Sequence, residues 1–212
     1  MTEFTIELST QVGVISFSWN QSGLLAQIQW KAYASYEDFQ EHQKKFRLQK
    51  FKMKSSELDF AQSGNFKSLL DSFPKYFETG DPLPSLSWDR LETGGLTEFQ
   101  QKVYRVLQEI PHAETRTYQW VAERVAQKLG SKPACRAVGQ ALSNNPFPFL
   151  VPCHRVVSKT ALGGFMGSTD LTHPPLRLKK WLIEVEHQYR NPVFSFLPSL
   201  FEPSVIFAGA SL

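Results

Sequence analysis

Apolar and polar residues alternate through the first thirty positions. Ile6, Leu8, Val12, Val14, Ile15, Phe17, Leu24, Leu25, Ile28 and Trp30 fall in short runs interrupted by Asn20-Gln21-Ser22-Gly23. Alternation at period two is the pattern of a half-buried strand, and the tetrapeptide is made of turn formers, so the segment is predicted to be a β-hairpin. Tyr36–Lys54 is rich in Gln, Lys, Glu and Phe without a strong breaker, which predicts a helix or an ordered loop; a second helix is predicted over Phe66–Phe77. A passage rich in proline and glycine follows, with Asp81-Pro82-Leu83-Pro84 and then Gly94-Gly95, and it reads as an inter-domain linker.

Beyond the linker the period changes from two to about 3.6. Thr97 is placed as an N-cap, with Leu96, Phe99, Val103, Val106, Leu107 and Ile110 on one face until Pro111. Two further helices are predicted. One spans Tyr118–Leu129, with Val121, Ala122, Val125 and Leu129 inward and Gly130 as its stop; the other spans Pro133–Ser143 and ends at Asn144-Asn145-Pro146. The short Gly130-Ser131-Lys132 connection gives this pair the proportions of a helix-turn-helix, although most short helix pairs touch no nucleic acid. Ala134, Ala137, Gly139 and Ala141 make the last helix thin, which suits either close approach to a groove or tight packing.

Composition narrows the picture only slightly. With 212 residues and ordinary hydrophobic and charged fractions, the chain can bury a core without covalent staples. Its two cysteines, Cys135 and Cys153, form no disulfide framework and no zinc-finger spacing, which points to a reducing compartment and to no metal. The N-terminus resembles neither a secretion signal nor a transit peptide, and no run approaches the roughly 18 apolar residues of a membrane helix. A net charge of +3 permits a nucleic-acid partner without arguing for one. The apolar tail after Asn191 is expected to pack on the body of the protein or on a partner. The domains read as 1–91, 92–188 and an apolar extension, 189–212.

The candidate chemistry lies in Phe147–Val157, FPFLVPCHRVV, where Cys153 precedes His154. A thiol attacks as thiolate and needs a base, and a base needs an acceptor on its other nitrogen; Asp170, Glu184 and Glu186 lie downstream. Neighbours on a strand face opposite ways, so the pair can cooperate only across a bend, for which Pro152 provides a reason. Taken alone, the dipeptide reads better as an inert buried cysteine beside a hydrogen-bonded core histidine, and spacing does not overturn that reading.

A wider pattern does. Phe99-Gln100-x-x-Val103, Ile110-Pro111, Thr115-Arg116-Thr117-Tyr118, Arg136-Ala137-Val138-Gly139, Asn144-Asn145-Pro146-x-Pro148, Pro152-Cys153-His154-Arg155-Val156, Gly163-Gly164-Phe165 and Trp181–Glu186, in that order, resemble the O6-alkylguanine-DNA alkyltransferases over roughly Leu96–Glu186. The resemblance implies an α/β (α+β) fold: an N-terminal ribonuclease-H-like antiparallel sheet with helices, and a mostly helical, winged-helix-like C-terminal domain with a helix-turn-helix. It implies single-turnover transfer of an alkyl group from guanine O6 in duplex DNA to Cys153, without a cofactor, by a monomer acting from the minor groove. His154 would act as base through a water, Glu186 would orient it, and Asn145 would hold the turn. Arg136 would fill the gap left by the flipped nucleotide, Tyr118 would press on its phosphate, and Ala137 and Gly139 would let the helix enter the groove. Pro148, Val156, Phe165 and Met166 would line the pocket.

The family's setting is the cytoplasm in a bacterium and the nucleus in a eukaryote. Three features depart from its pattern. Phe165 stands where tyrosine is common, Met166 stands where a small or polar residue is, and the link from Gly167 to Lys180 is long. The alternatives are a DNA-binding protein without transfer chemistry, either a regulator or a lesion-flagging relative, and a cysteine hydrolase.

Overall fold

The computed structural model of the chain describes residues 2–10, 12–34, 40 and 65–190. Strands β1 (Thr2–Thr10), β2 (Gly13–Asn20) and β3 (Leu25–Lys31) form an antiparallel meander in the order β1-β2-β3. The expected hairpin is thus three strands. The extra reversal is a tight one, Thr10 pairing with Gly13, and it carries no glycine-rich signature beyond Gly13 itself. There the Thr10 hydroxyl donates to the Gly13 carbonyl at 2.8 Å and accepts from Val12 N at 3.2 Å. At the second reversal the Asn20 side chain accepts from Ser22 N (2.9 Å) and Leu24 N (3.0 Å), a local bond that stabilises a turn against strand continuation.

Alternation in β2 buries Ile15, Phe17 and Trp19 on one face. Against that face lies α1 (Asn65–Thr79), which buries Phe66, Leu69, Leu70, Phe73, Tyr76 and Phe77. Phe73 meets Phe17 edge-on at 5.0 Å and Phe66 meets Trp19 at 5.6 Å, so the core of this unit is aromatic. The predicted segment 36–54, apart from Gln40, and the tail beyond Arg190 lie outside the described residues.

A second compact unit runs Thr93–Arg190. Helix α2 (Glu98–Gln108) opens with a capping box, Thr97 accepting from Gln100 N while the Gln100 side chain accepts from Thr97 N. It buries Val103, Tyr104, Val106 and Leu107. Helix α3 (Tyr118–Leu129) is capped by Thr117 and stopped by Gly130 at φ +62°, a left-handed position at which glycine avoids a Cβ clash. Helix α4 (Cys135–Ser143) begins two residues later than predicted, because Ala134, at φ −133°, is still non-helical after Pro133. The three helices pack on one another, and the Tyr104 hydroxyl ties α2 to the Ala141 carbonyl of α4 at 2.9 Å.

A two-residue parallel pair, β4 (Arg116–Thr117) with β5 (Val156–Val157), joins the start of α3 to the Cys-His segment. Helix α5 (Pro174–Arg190) closes the unit. It starts well before the expected Trp181: Pro174 and Pro175 occupy its first turn, where a missing N–H costs nothing, so the long link shrinks to 167–173. Among the described residues the fold is mixed α/β, with one small antiparallel sheet and five α-helices.

Candidate active site

Pro152 sits at φ −79°, ψ 65°, an inverse γ-turn closed by Cys153 N donating to the Val151 carbonyl at 2.7 Å. The next three residues, Cys153–Arg155, form a single 3₁₀ turn. Cys153 and His154 are therefore not on a strand, and the bend that their cooperation requires is built by the proline between them and Val151. Both are buried.

Asn145 organises this corner. Its Nδ2 donates to the Val151 carbonyl at 2.9 Å and to Cys153 Sγ at 3.2 Å, while its Oδ1 accepts from Phe147 N at 3.0 Å. One amide thus fixes the loop and touches the thiol. Burial pushes the Cys153 thiol above its ordinary range; the Asn145 bond and the charge of Lys179 pull it back only in part.

Behind the thiol is a buried ionic cluster. Glu186 on α5 takes His154 Nε2 at 2.9 Å and Arg155 Nη2 at 3.0 Å on Oε1, and Arg155 Nε at 2.9 Å and Ala113 N at 3.2 Å on Oε2. Four donors fill a carboxylate's acceptor sites, which makes burial of its charge tolerable. Burial opposes ionisation, yet His154 and Arg155 outweigh it and hold Glu186 far below the usual carboxylate range. For His154, burial wins over Glu186 and lowers the imidazole, so it rests neutral and able to accept a proton. His112 stands 4.0 Å from the same Oε1. Of the carboxylates considered from sequence, Asp170 and Glu184 are not in this cluster: Asp170 serves the 167–173 loop and Glu184 faces Lys180.

A cavity of about 500 Å³ opens in front of Cys153. Tyr118 and the α4 residues Cys135, Arg136 and Gly139 form one wall, and Gly164 to Thr169 form the other. Phe165 and Met166 lie on the second wall, in a two-residue turn: Phe165 and Ser168 exchange both backbone bonds at 2.9 Å, and Met166 and Gly167 have φ of +46° and +78°. Tyr118 donates its hydroxyl to the Gly164 carbonyl at 3.2 Å, and a Cβ on Gly163 would lie 2.8 Å from its ring.

Two expected pocket residues are elsewhere. Val156 is fully buried in β5, its side chain in the core while its carbonyl faces Lys179, and Pro148 is buried in the turn after Asn145; neither lines the cavity. Ala137 is exposed on α4, outside the lining, and Arg136 is exposed at the cavity edge.

Lys179 escaped the sequence reading. Its ammonium is fully buried and donates to the carbonyls of Val156 (2.6 Å) and Gly164 (2.9 Å), while burial lowers it to about 8 against the pull of the Cys153 charge. Its signal was available: a lysine two residues before Trp181, on the inward side of a helix, whose charge must be compensated from within.

Residues 98–188 match the family model for the DNA-binding domain of 6-O-methylguanine DNA methyltransferase. The chain is 44% identical over 91 residues to the constitutive methylated-DNA–protein-cysteine methyltransferase of Bacillus subtilis, covering 42% of this chain and 49% of that protein. To the methylated-DNA–protein-cysteine methyltransferase of Metallosphaera sedula it is 35% identical over 136 residues, covering 62% of this chain and 79% of that one. The chain belongs to the methylated-DNA–protein-cysteine methyltransferase family. It spans about half of the length of the Bacillus subtilis relative and about three-fifths of that of the methylated-DNA–protein-cysteine methyltransferase of Methanothermobacter thermautotrophicus. Among solved structures, the Mycobacterium tuberculosis O6-methylguanine methyltransferase shares the fold, with a TM-score of 0.56 at 23% identity over 87% of this chain and 93% of that one. For this family member, the cavity, the thiol and the Glu186 cluster described above are the candidate machinery.

Proposed function

We propose that this protein reverses alkylation damage in duplex DNA by moving an alkyl group from guanine O6 to Cys153. One observation carries the reading: a buried thiol that touches Asn145 lines a cavity large enough for a purine, and a neutral histidine held by a buried carboxylate lies next in the chain. The thiol is raised, so at neutral pH it must lose a proton on the way to reaction. His154 takes that proton through one water, and Glu186 stabilises the imidazolium that forms. The thiolate, favoured by Lys179, attacks the alkyl carbon in line; the C–S bond forms as the C–O bond breaks, and the guanine anion takes up a proton as it leaves. The thioether has no leaving group, so each molecule acts once.

An O6 substituent inside a stacked duplex cannot meet an in-line thiolate, so the nucleotide is turned out. Exposed Arg136, at the cavity edge, takes its place in the stack from the minor groove, Tyr118 presses on the adjacent phosphate, and Ala137 and Gly139 keep α4 thin enough for that groove. The finer architecture in this reading is a ribonuclease-H-like first unit and a winged-helix-like second one, acting as a monomer. Incubation with duplex containing O6-methylguanine should raise the intact mass by one methyl, and Cys153→Ser should abolish the gain. Unchanged mass for the unsubstituted protein together with tight duplex binding would favour a non-transferring DNA-binding protein and sink the proposal.

A further inference from the structure

Among the described residues two large hydrophobic side chains stand exposed, Tyr189 and Leu171. Tyr189 meets the ring of His112 at 5.5 Å, whereas Leu171 is 68% exposed at the tip of the 167–173 loop. This loop is well braced. His173 N donates to the Asp170 carbonyl at 3.1 Å, closing a β-turn with Leu171 at its first corner. Asp170 Oδ1 accepts from Thr172 N and Oγ1, both at 2.8 Å, and Asp170 Oδ2 lies 3.3 Å from His173 Nε2. Ser168 Oγ reaches His173 Nδ1 at 3.2 Å, and Arg177 Nε donates to the Thr172 carbonyl at 2.9 Å from the first turns of α5.

The segment thus spends its polar groups on itself and leaves one apolar corner outward. Gly167, Ser168 and Thr169 line the cavity together with Arg136, and Leu171, two residues beyond Thr169, is outside the lining but tied to it by that short stretch of chain. The one carboxylate of the segment, Asp170, is engaged by Thr172 and His173, and Arg177, bonded to the Thr172 carbonyl, brings a positive charge to the loop, whereas Lys180 further along α5 is paired with Glu184. An apolar corner beside a positive charge is how a protein touches the face of an unstacked base while tolerating its phosphates.

We infer that Leu171 is a wedge on duplex DNA: once the alkylated nucleotide enters the cavity and Arg136 fills the gap it leaves, the leucine packs on the base pair that flanks the lesion. The inference rests on the repair reading above. The Cys153→Ser protein, which leaves the lesion intact, is titrated with a fluorescein-labelled duplex carrying one O6-methylguanine and with its undamaged counterpart. Adding Leu171→Ser should weaken binding to the lesion duplex about tenfold and to the undamaged duplex less, and Leu171→Met should restore lesion binding to within about twofold. Unchanged thermal melts show that both variants are folded. Equal lesion binding with Leu171→Ser overturns the wedge. So does sedimentation showing a dimer that Leu171→Ser dissolves, which would assign the corner to a second copy of the chain. Intact mass of the unsubstituted protein separates the two readings: no methyl gain defeats repair itself, whereas methyl gain with indifference to Leu171→Ser defeats the wedge alone.

Discussion

The two compact units differ in what they bury. In the first unit, over its described residues up to Glu92, the core is apolar and aromatic, and the one buried polar side chain is Thr10, satisfied locally by Gly13 and Val12. The Thr93–Arg190 unit buries His154, Lys179 and Glu186 as well as its apolar residues. Taking charges out of water is costly and rarely returns net stability over a well-packed apolar alternative. A fold that needs only to hold together builds the first kind of core. The second kind is explained by chemistry, since the Lys179 charge acts on the Cys153 thiol and the Glu186 charge holds the neutral imidazole of His154, the next residue in the chain.

The comparison is broken most directly at Glu186. Glu186→Gln keeps the shape but leaves the Arg155 guanidinium without its counter-charge and His154 without its carboxylate acceptor, so urea denaturation should show a loss of about 3–5 kcal/mol. Methyl transfer per folded molecule should fall at least about 100-fold, the scale of a lost acid–base function. A variant as stable as its parent would mean that the cluster is not a buried ionic unit.

Phe73→Ala tests the other side. Emptying a site packed on Phe17 and Phe77 should cost about 3 kcal/mol by the same denaturation. Yet the second-order transfer rate, measured below the midpoint, should change less than about twofold. A large rate loss would show that the aromatic unit takes part in the chemistry.

The smallest effect sharpens the role of Lys179. Its folded-state value of about 8 lies below the ordinary 10.5, so below pH 8 the folded protein carries the full burial penalty. As pH rises from 8 to 10.5 the folded state sheds this proton before the unfolded state does, and stability rises. The raised Cys153 thiol acts with the opposite sign, so the comparison belongs in Cys153→Ser protein. Between pH 8 and 10 that protein should gain about 2 kcal/mol relative to Cys153→Ser with Lys179→Met. Parallel stability curves would show that the ammonium is solvated.

Much of this arrangement was legible in the order of residues, and the illegible parts share a cause. Helix α3 is legible from Tyr118 to Leu129, with Gly130 as a stop of known mechanism, and the structure adds Thr117 as the cap at its start. The sequence starts helix α4 early because proline usually opens a helix, whereas here Ala134, at φ −133° and ψ 76°, is still non-helical. Helix α5 was started late because Pro174 and Pro175 look like loop until one sees that they fill its first turn. Cys153, His154, Glu186 and Asn145 could be named through the family pattern, and the structure brings them into one corner. Arg155, Ala113 and Lys179 were missed because their roles belong to three-dimensional closure: a guanidinium folded onto a distant carboxylate, a backbone N–H, and an ammonium whose acceptors are carbonyls. The family resemblance puts Pro148 and Val156 on the pocket wall, but neither lines the cavity, because a γ-turn followed by a 3₁₀ turn sends adjacent residues in different directions.

Cys135 lies on the same cavity as Cys153, half-buried, its thiol 3.0 Å from the Gln119 side-chain oxygen. Any electrophile that enters meets two sulfurs, one at the rim and one at the floor. Titration with a general thiol reagent therefore counts accessibility rather than repair capacity, and a single adduct on the intact chain does not identify the acceptor. Proteolytic mapping that separates the two cysteines turns such labelling into a readout of how deeply a reagent has penetrated, with Cys135 as the internal reference for arrival at the doorway.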